Sequence, residues 1–184
     1  MLNLWLDCET TNTDPNTGFA FQYAYFGEEN GNILFTNELK MRPRNIEKFE
    51  LNPLAFQINK IDPEMLFTYE LEESMLVKLQ ADLRPFSGRF CVCGYNVGFD
   101  IEFLKATLFR NKLNYFDYFQ YIHYDVMQLV RGLVVNNKIN VSNIKLATIA
   151  EYFKLSFEKE HDAMADILVT KQINDIIMGK FNLG

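Results

Sequence analysis

The sequence predicts an α/β fold built on a mixed sheet. Three strand-like stretches with short connections open the chain, which implies an antiparallel meander. Beyond those hairpins, strand-like runs alternate with amphipathic helical stretches, as when strands are joined by packed helices. With 184 residues, 48% hydrophobic and 23% charged, the chain is expected to form one globular domain over residues 1–184 with a sizeable core.

The first strand is Leu2 to about Thr10, a hydrophobic run that delivers Asp7 and Glu9 just before a polar loop. Side chains alternate along a strand, so the two acids share one face and Cys8 takes the other. Residues 11–18 (TNTDPNTG) are a dense turn cluster. Phe19 to Phe26 reads as a second, aromatic strand, and Asn30-Gly31-Asn32 as the turn into a third, Ile33 to Thr36. Leu54 to Ile58 reads as a short helix, with Asn52 as N-cap and Pro53 at the first helical position.

Leu71 to Leu83 carries Leu71, Met75, Leu79 and Leu83 at four-residue spacing, a core-facing helical stripe. Arg89 to Tyr95 is a fourth strand ended by Asn96-Val97-Gly98. A helix from Phe99 or Asp100 to about Asn111 follows, with Ile101, Phe103, Leu104 and Leu108 inward. Tyr121 to Asp125 is the fifth strand and Val126 to Val135 a helix. After a polar loop over 136–143, Ile144 to Phe153 and Asp162 to Met178 are the last two helices.

Composition narrows the function classes. No apolar run approaches the length needed to span a bilayer, and Met1 to Trp5 is too short and lacks the basic flank of a secretory signal. Cys8, Cys91 and Cys93 are an odd number within strands, which reads as reduced core thiols in an intracellular, cytoplasmic setting. Cys91 and Cys93 lack the second ligand pair of a zinc site. The net charge of −6 argues against tight, non-specific binding of long duplexes. It does not exclude a metal enzyme on nucleic acid, because divalent cations supply positive charge where a phosphate binds.

The chemistry-bearing residues are acids. Asp7 and Glu9 on one strand face repel each other and stay ionised at low cost when a cation sits between them, and Mg²⁺ or Mn²⁺ suits an all-oxygen site. Taken alone, the pair also fits a solvated strand end. Asp100 stands just past the fourth strand, behind Gly98, and lies near Asp7 and Glu9 if that strand runs beside the first. Alone it fits equally a helix N-terminal acid stabilised by the dipole. In His161-Asp162-Ala163-Met164-Ala165-Asp166, Asp162 is an N-cap candidate and Asp166 lies one turn on. The small Ala163 and Ala165 let this helix approach a sheet, and an acid among them is costly to bury without a cation. His161 stands just before the helix, beside the site, and His123 reads as a satisfied structural histidine.

These segments, DCET (7–10), NVGFD (96–100) and HDAMAD (161–166), resemble in order and spacing the three motifs of the DEDDh 3′→5′ exonucleases. That family includes polymerase III epsilon-type proofreading subunits, RNase T, oligoribonuclease and Trex-type enzymes. NPLAFQINKIDPEML (52–66) and IKLATIAEYFKL (144–155) extend the likeness over nearly the whole chain. The resemblance implies an RNase H-like fold with a five-stranded mixed sheet flanked by helices. It makes Asp7, Glu9, Asp100 and Asp166 the four acids and puts His161 in the place of the general base. Asn12 and Thr13 stand where many members carry a Gly and an apolar wedge, which leaves Phe19 and Phe56 as candidates for stacking on the terminal base.

On that footing the expected activity is two-metal hydrolysis of phosphodiester bonds from a 3′ end, with Mg²⁺ or Mn²⁺, releasing nucleoside 5′-monophosphates. Asp7 would bridge the ions, Glu9 and Asp166 would complete the first site, and Asp100 would hold the second. The expected substrates are single-stranded or frayed ends, with DNA favoured and RNA or short oligoribonucleotides as the alternative. The expected partners are 3′ ends of single-stranded DNA or RNA and a DNA polymerase or repair assembly. A module that binds 3′ ends or a polymerase without cutting is the reading from a different class.

Overall fold

The structure, a computed structural model, describes residues 1–156 and 162–180. Its centre is a mixed sheet of order β4-β3-β2-β1-β5-β6. The strands are β1 (Leu2–Thr10), β2 (Ala20–Glu29), β3 (Asn32–Arg42), β4 (Glu70–Leu71), β5 (Phe90–Gly94) and β6 (Phe119–Asp125). The helices are α1 (Pro53–Asn59), α2 (Glu72–Leu83), α3 (Gly98–Arg110), α4 (Val126–Val135), α5 (Leu146–Tyr152) and α6 (Ala163–Lys180). β1, β2 and β3 form the antiparallel meander, and β1, β5 and β6 run parallel.

Two differences from the sequence expectation have local causes. The sheet has six strands rather than five, because the two-residue β4 pairs in parallel with Met41 and Arg42. β3 also runs far past Thr36. Its second half, Asn37 to Arg42, alternates polar residues with the buried Leu39 and Met41, a one-sided pattern with little overall hydrophobicity. The turn between β2 and β3 is the two-residue Asn30-Gly31, both with positive φ (52° and 82°), which matches the twist of the strands it joins.

The sheet is covered on both faces. On one, Leu4, Leu6, Tyr23, Leu39, Phe90 and Val92 pack with Met75, Leu79 and Leu83 of α2 and Ile101, Leu104 and Leu108 of α3. On the other, Trp5, Ala24, Phe26, Cys91 and Cys93 pack with α4, α5 and α6 through Val130, Ile149, Ile167 and Ile173. Leu71, expected at the head of the α2 stripe, belongs to β4 instead. A third cluster of Phe19, Phe21, Ile46, Phe56 and Leu66 sits under the loops around α1.

The expected caps form. Asn52 Oδ1 accepts from Leu54 N–H at 3.0 Å, and Asp162 Oδ1 accepts from Ala165 N–H at 3.1 Å. The three cysteines are buried free thiols. Among the described residues no helix is long and apolar enough to cross a membrane.

Candidate active site

β1 lies between β2 and β5, so its C-terminal end opens at the middle of the sheet edge. Strand parity sends Trp5, Asp7 and Glu9 to the face covered by α6, while the Cys8 side chain is buried against the α2–α3 face. α6 supplies the third acid. Ala163 is fully buried, so the first turn of α6 lies close on the sheet, and Asp166 in that turn meets β1. Carboxylate oxygens of Asp7, Glu9 and Asp166 all lie within 4.8 Å of one another.

Asp100 arrives from the opposite layer. The parallel β1–β5 ladder ends at Trp5 and Cys93, so β1 continues toward Cys8 with no strand on that side. Asp100 Oδ1 accepts the Cys8 N–H there at 2.9 Å and is itself only 4% exposed. The glycine that permits this is Gly94, not Gly98. A Cβ on Gly94 would stand 2.7 Å from the Leu6 carbonyl oxygen, whereas one on Gly98 would meet nothing within 4 Å. Past Gly94 the chain turns through Asn96 (φ 57°), whose N–H donates to Asp125 Oδ1 at 2.9 Å. Asp125 Oδ1 also accepts from Met127 N–H and caps α4, so one side chain ties the two strand-to-helix turns together.

Burial and mutual repulsion dominate the electrostatics. Burial, then the charges of Asp166, Asp100 and Asp162, push the Glu9 carboxyl up to about 8. Asp100 rises to about 7, driven by burial and held back by its contacts with Cys8. Asp7 is raised well above the usual carboxylate range by burial, then by Asp100, Asp166 and Glu9. A divalent cation would remove this cost, and an all-carboxylate donor set is the kind that hard cations prefer. The residues present therefore fit such an ion.

The structure brings together Asp7, Glu9 and Asp166 and places Asp100 beside them. His161 lies outside the described residues. His123 is exposed on the edge strand β6 rather than satisfied in the core. Phe19 and Phe56 are buried in the third cluster, where an aromatic ring already has packing partners and no open face for a base. Asn12 turns into its own loop, with Nδ2 donating to Glu50 Oε2 at 2.7 Å and to Thr17 Oγ1 at 3.0 Å.

Sequence reasoning missed three residues near the end of β1. Leu54 and Ile58 are exposed apolar residues on α1, which is tied to the end of β1 where Asn59 Nδ2 donates to the Thr10 carbonyl at 3.3 Å. Gln22 pairs with Glu9 across the β1–β2 ladder, and only the strand register reveals it.

The exonuclease family model RNase_T matches residues 4–173. The PolC-type DNA polymerase III of Latilactobacillus sakei subsp. sakei (strain 23K) is 26% identical over 160 residues, covering 87% of this chain and 10% of the polymerase. E. coli exonuclease I in complex with a dT13 oligonucleotide superposes with a TM-score of 0.81 at 22% identity, over 96% of this chain and 41% of that one. The zinc-bound E. coli exonuclease I–single-stranded DNA complex gives 0.84 at 21% identity, over 99% and 41%. The chain thus spans a tenth of the polymerase and about two fifths of the exonuclease I chains.

Proposed function

Because the chain belongs to the RNase_T exonuclease family, we propose that it is a metal-dependent 3′→5′ exonuclease acting as one domain over residues 1–184. The observation that carries the reading is the cluster of Asp7, Glu9 and Asp166, drawn from the first and third motifs, with Asp100 of the second motif beside it.

Asp7, Glu9 and Asp166 would hold one divalent cation, Mg²⁺ or Mn²⁺, and Asp100 with Asp7 would hold a second. When bound, such ions supply Lewis acidity toward the attacking water and the departing oxygen. Asp100 is held in place for this by the Cys8 N–H, which donates to its Oδ1. His161 would accept the proton of the water at its imidazole, a group that in general changes charge near neutral pH. Water adds to phosphorus, the bond from phosphorus to the 3′ oxygen of the preceding nucleotide breaks, that oxygen takes a proton from solvent to become the new 3′ hydroxyl, and a nucleoside 5′-monophosphate leaves. Leu54 and Ile58 offer the apolar contact for the terminal base that the buried Phe19 and Phe56 do not.

Single-stranded or frayed DNA is the favoured substrate. The oligonucleotide-bound exonuclease I neighbours and the polymerase relative support DNA, and the net charge of −6 supports ends over long duplex. The polymerase relative also supports a polymerase or repair assembly as the setting, inside the cell. A digestion panel tests the proposal: labelled single-stranded DNA, duplex DNA with a 3′ mismatch, RNA and a dinucleotide, each with Mn²⁺ and with EDTA. Stepwise loss of 3′ nucleotides with Mn²⁺ alone is expected. Binding of 3′ ends with no cleavage under any condition would overturn it in favour of a non-cutting module.

A further inference from the structure

The β1–β2–β3 ladder sets three polar side chains in one row. Glu9 pairs with Gln22 and Gln22 with Lys40, so all three project from the sheet face that α6 covers. Glu9 belongs to the acid cluster. Lys40 stands two strands away, ~10 Å from Glu9 along the row.

Gln22 is only 8% exposed, and its side chain makes no hydrogen bond to any described residue. Its amide atoms are not sealed in the core. A residue buried this far, whose amide opens to solvent and has no partner among the described residues, leaves donors and an acceptor open to a ligand. Lys40 Nζ is 3.1 Å from Glu38 Oε1 in a pair exposed on both sides, a contact weak enough to exchange for another anion. Tyr69 and Asp162 lie close enough to Lys40 to act on its charge.

Along the row the chemistry changes from acid to neutral amide to cation. The acid cluster serves the scissile phosphate, and the neighbouring sugar–phosphate of a nucleic-acid strand needs donors and positive charge. We propose that Gln22 and Lys40 form a substrate subsite beside the acid cluster, with Gln22 hydrogen-bonding the sugar–phosphate backbone and Lys40 pairing with a backbone phosphate. This rests on the exonuclease reading above. Both contact the substrate away from the scissile bond, so their loss weakens substrate binding more than turnover.

Two variants of the full chain test it on single-stranded oligonucleotides with Mn²⁺. Gln22→Met is close to isosteric and replaces the amide with an apolar group. KM is expected to rise roughly tenfold with kcat little changed and the Tm unchanged or higher, since a hydrogen bond to a charged group is lost only in the complex. Lys40→Gln should make the dependence of log(kcat/KM) on log salt shallower by roughly 0.7, the share of one phosphate contact on a single strand. An unchanged KM in Gln22→Met, or an unchanged salt slope in Lys40→Gln, overturns the proposal; Lys40 is exposed, so its variant remains decisive if Gln22→Met fails to fold. If the wild-type chain cleaves nothing, the exonuclease reading fails instead. The same variants are then compared by fluorescence anisotropy of a labelled oligonucleotide with Mn²⁺, where an unchanged Kd overturns the subsite.

Discussion

Asp100 Oδ1 accepts the main-chain N–H of Cys8 at 2.9 Å, joining α3 to the C-terminal part of β1, the strand that carries Asp7 and Glu9. β5 stops short at this level, so the carboxylate takes the place of a strand partner. One side chain therefore serves both the ladder and the acid cluster, and the two roles separate by substitution. Asp100→Asn keeps an acceptor for Cys8 but loses the charge. It should fold normally and lose cleavage. Asp100→Leu should also leave a buried N–H unpaired, at a cost of about 1–3 kcal/mol in urea denaturation. Equal stability of the two variants would contradict the structural role.

Stability of the metal-free protein should fall with rising pH. Glu9 and Asp100 titrate near ~4 in an unfolded chain, but at about 8 and about 7 when folded. The folded state binds the extra protons, so the stability these groups contribute is fully present below pH ~4 and is lost as pH rises through about 7 and about 8. Tm in EDTA should therefore decline from pH 5 to 8.5. Mg²⁺ or Mn²⁺ should raise it most at the alkaline end, where the ion no longer competes with protons. Asp166→Asn should flatten the EDTA profile and weaken the metal response. A metal response independent of pH would exclude the cluster as the binding site.

The two glycines near the second motif should respond in opposite ways. Gly94→Ala forces a Cβ against the Leu6 carbonyl oxygen and should cost about 1–3 kcal/mol while displacing Asp100, lowering activity as well. Gly98→Ala enters open space at the start of α3 and should be neutral or stabilising by up to ~1 kcal/mol. Thermal melts and initial rates on both variants check this directly.

His161→Ala should lower kcat by roughly 10²–10⁴-fold, read from initial rates on a labelled single-stranded oligonucleotide with Mn²⁺. An unchanged rate would remove His161 as the base.

Much of the fold and part of the site were legible in local pattern. The two-residue spacing of Asp7 and Glu9 set them on one strand face, and that parity holds wherever the strand packs. Asn30-Gly31, Asn52 before Pro53 and Asp162 before Ala163 specified a turn and two helix starts through their own backbone and side-chain geometry. β3 was only half legible, because a strand with one polar face has little hydrophobic signal of its own. β4 was hidden, since two residues carry no periodicity.

Along the chain, then, the sequence determined the α/β class, the acids that could gather and the helix that brings Asp166, because each follows from periods of two and 3.6 and from short-range capping. Tertiary structure alone decided where those residues meet. That Asp100 takes the Cys8 N–H depends on where β5 ends relative to β1. That Gly94 is the close approach depends on the Leu6 carbonyl facing it. The burial of Phe19 and Phe56, and the row of Glu9, Gln22 and Lys40, depend on strand register and layer packing between residues distant in sequence. No local period records such contacts.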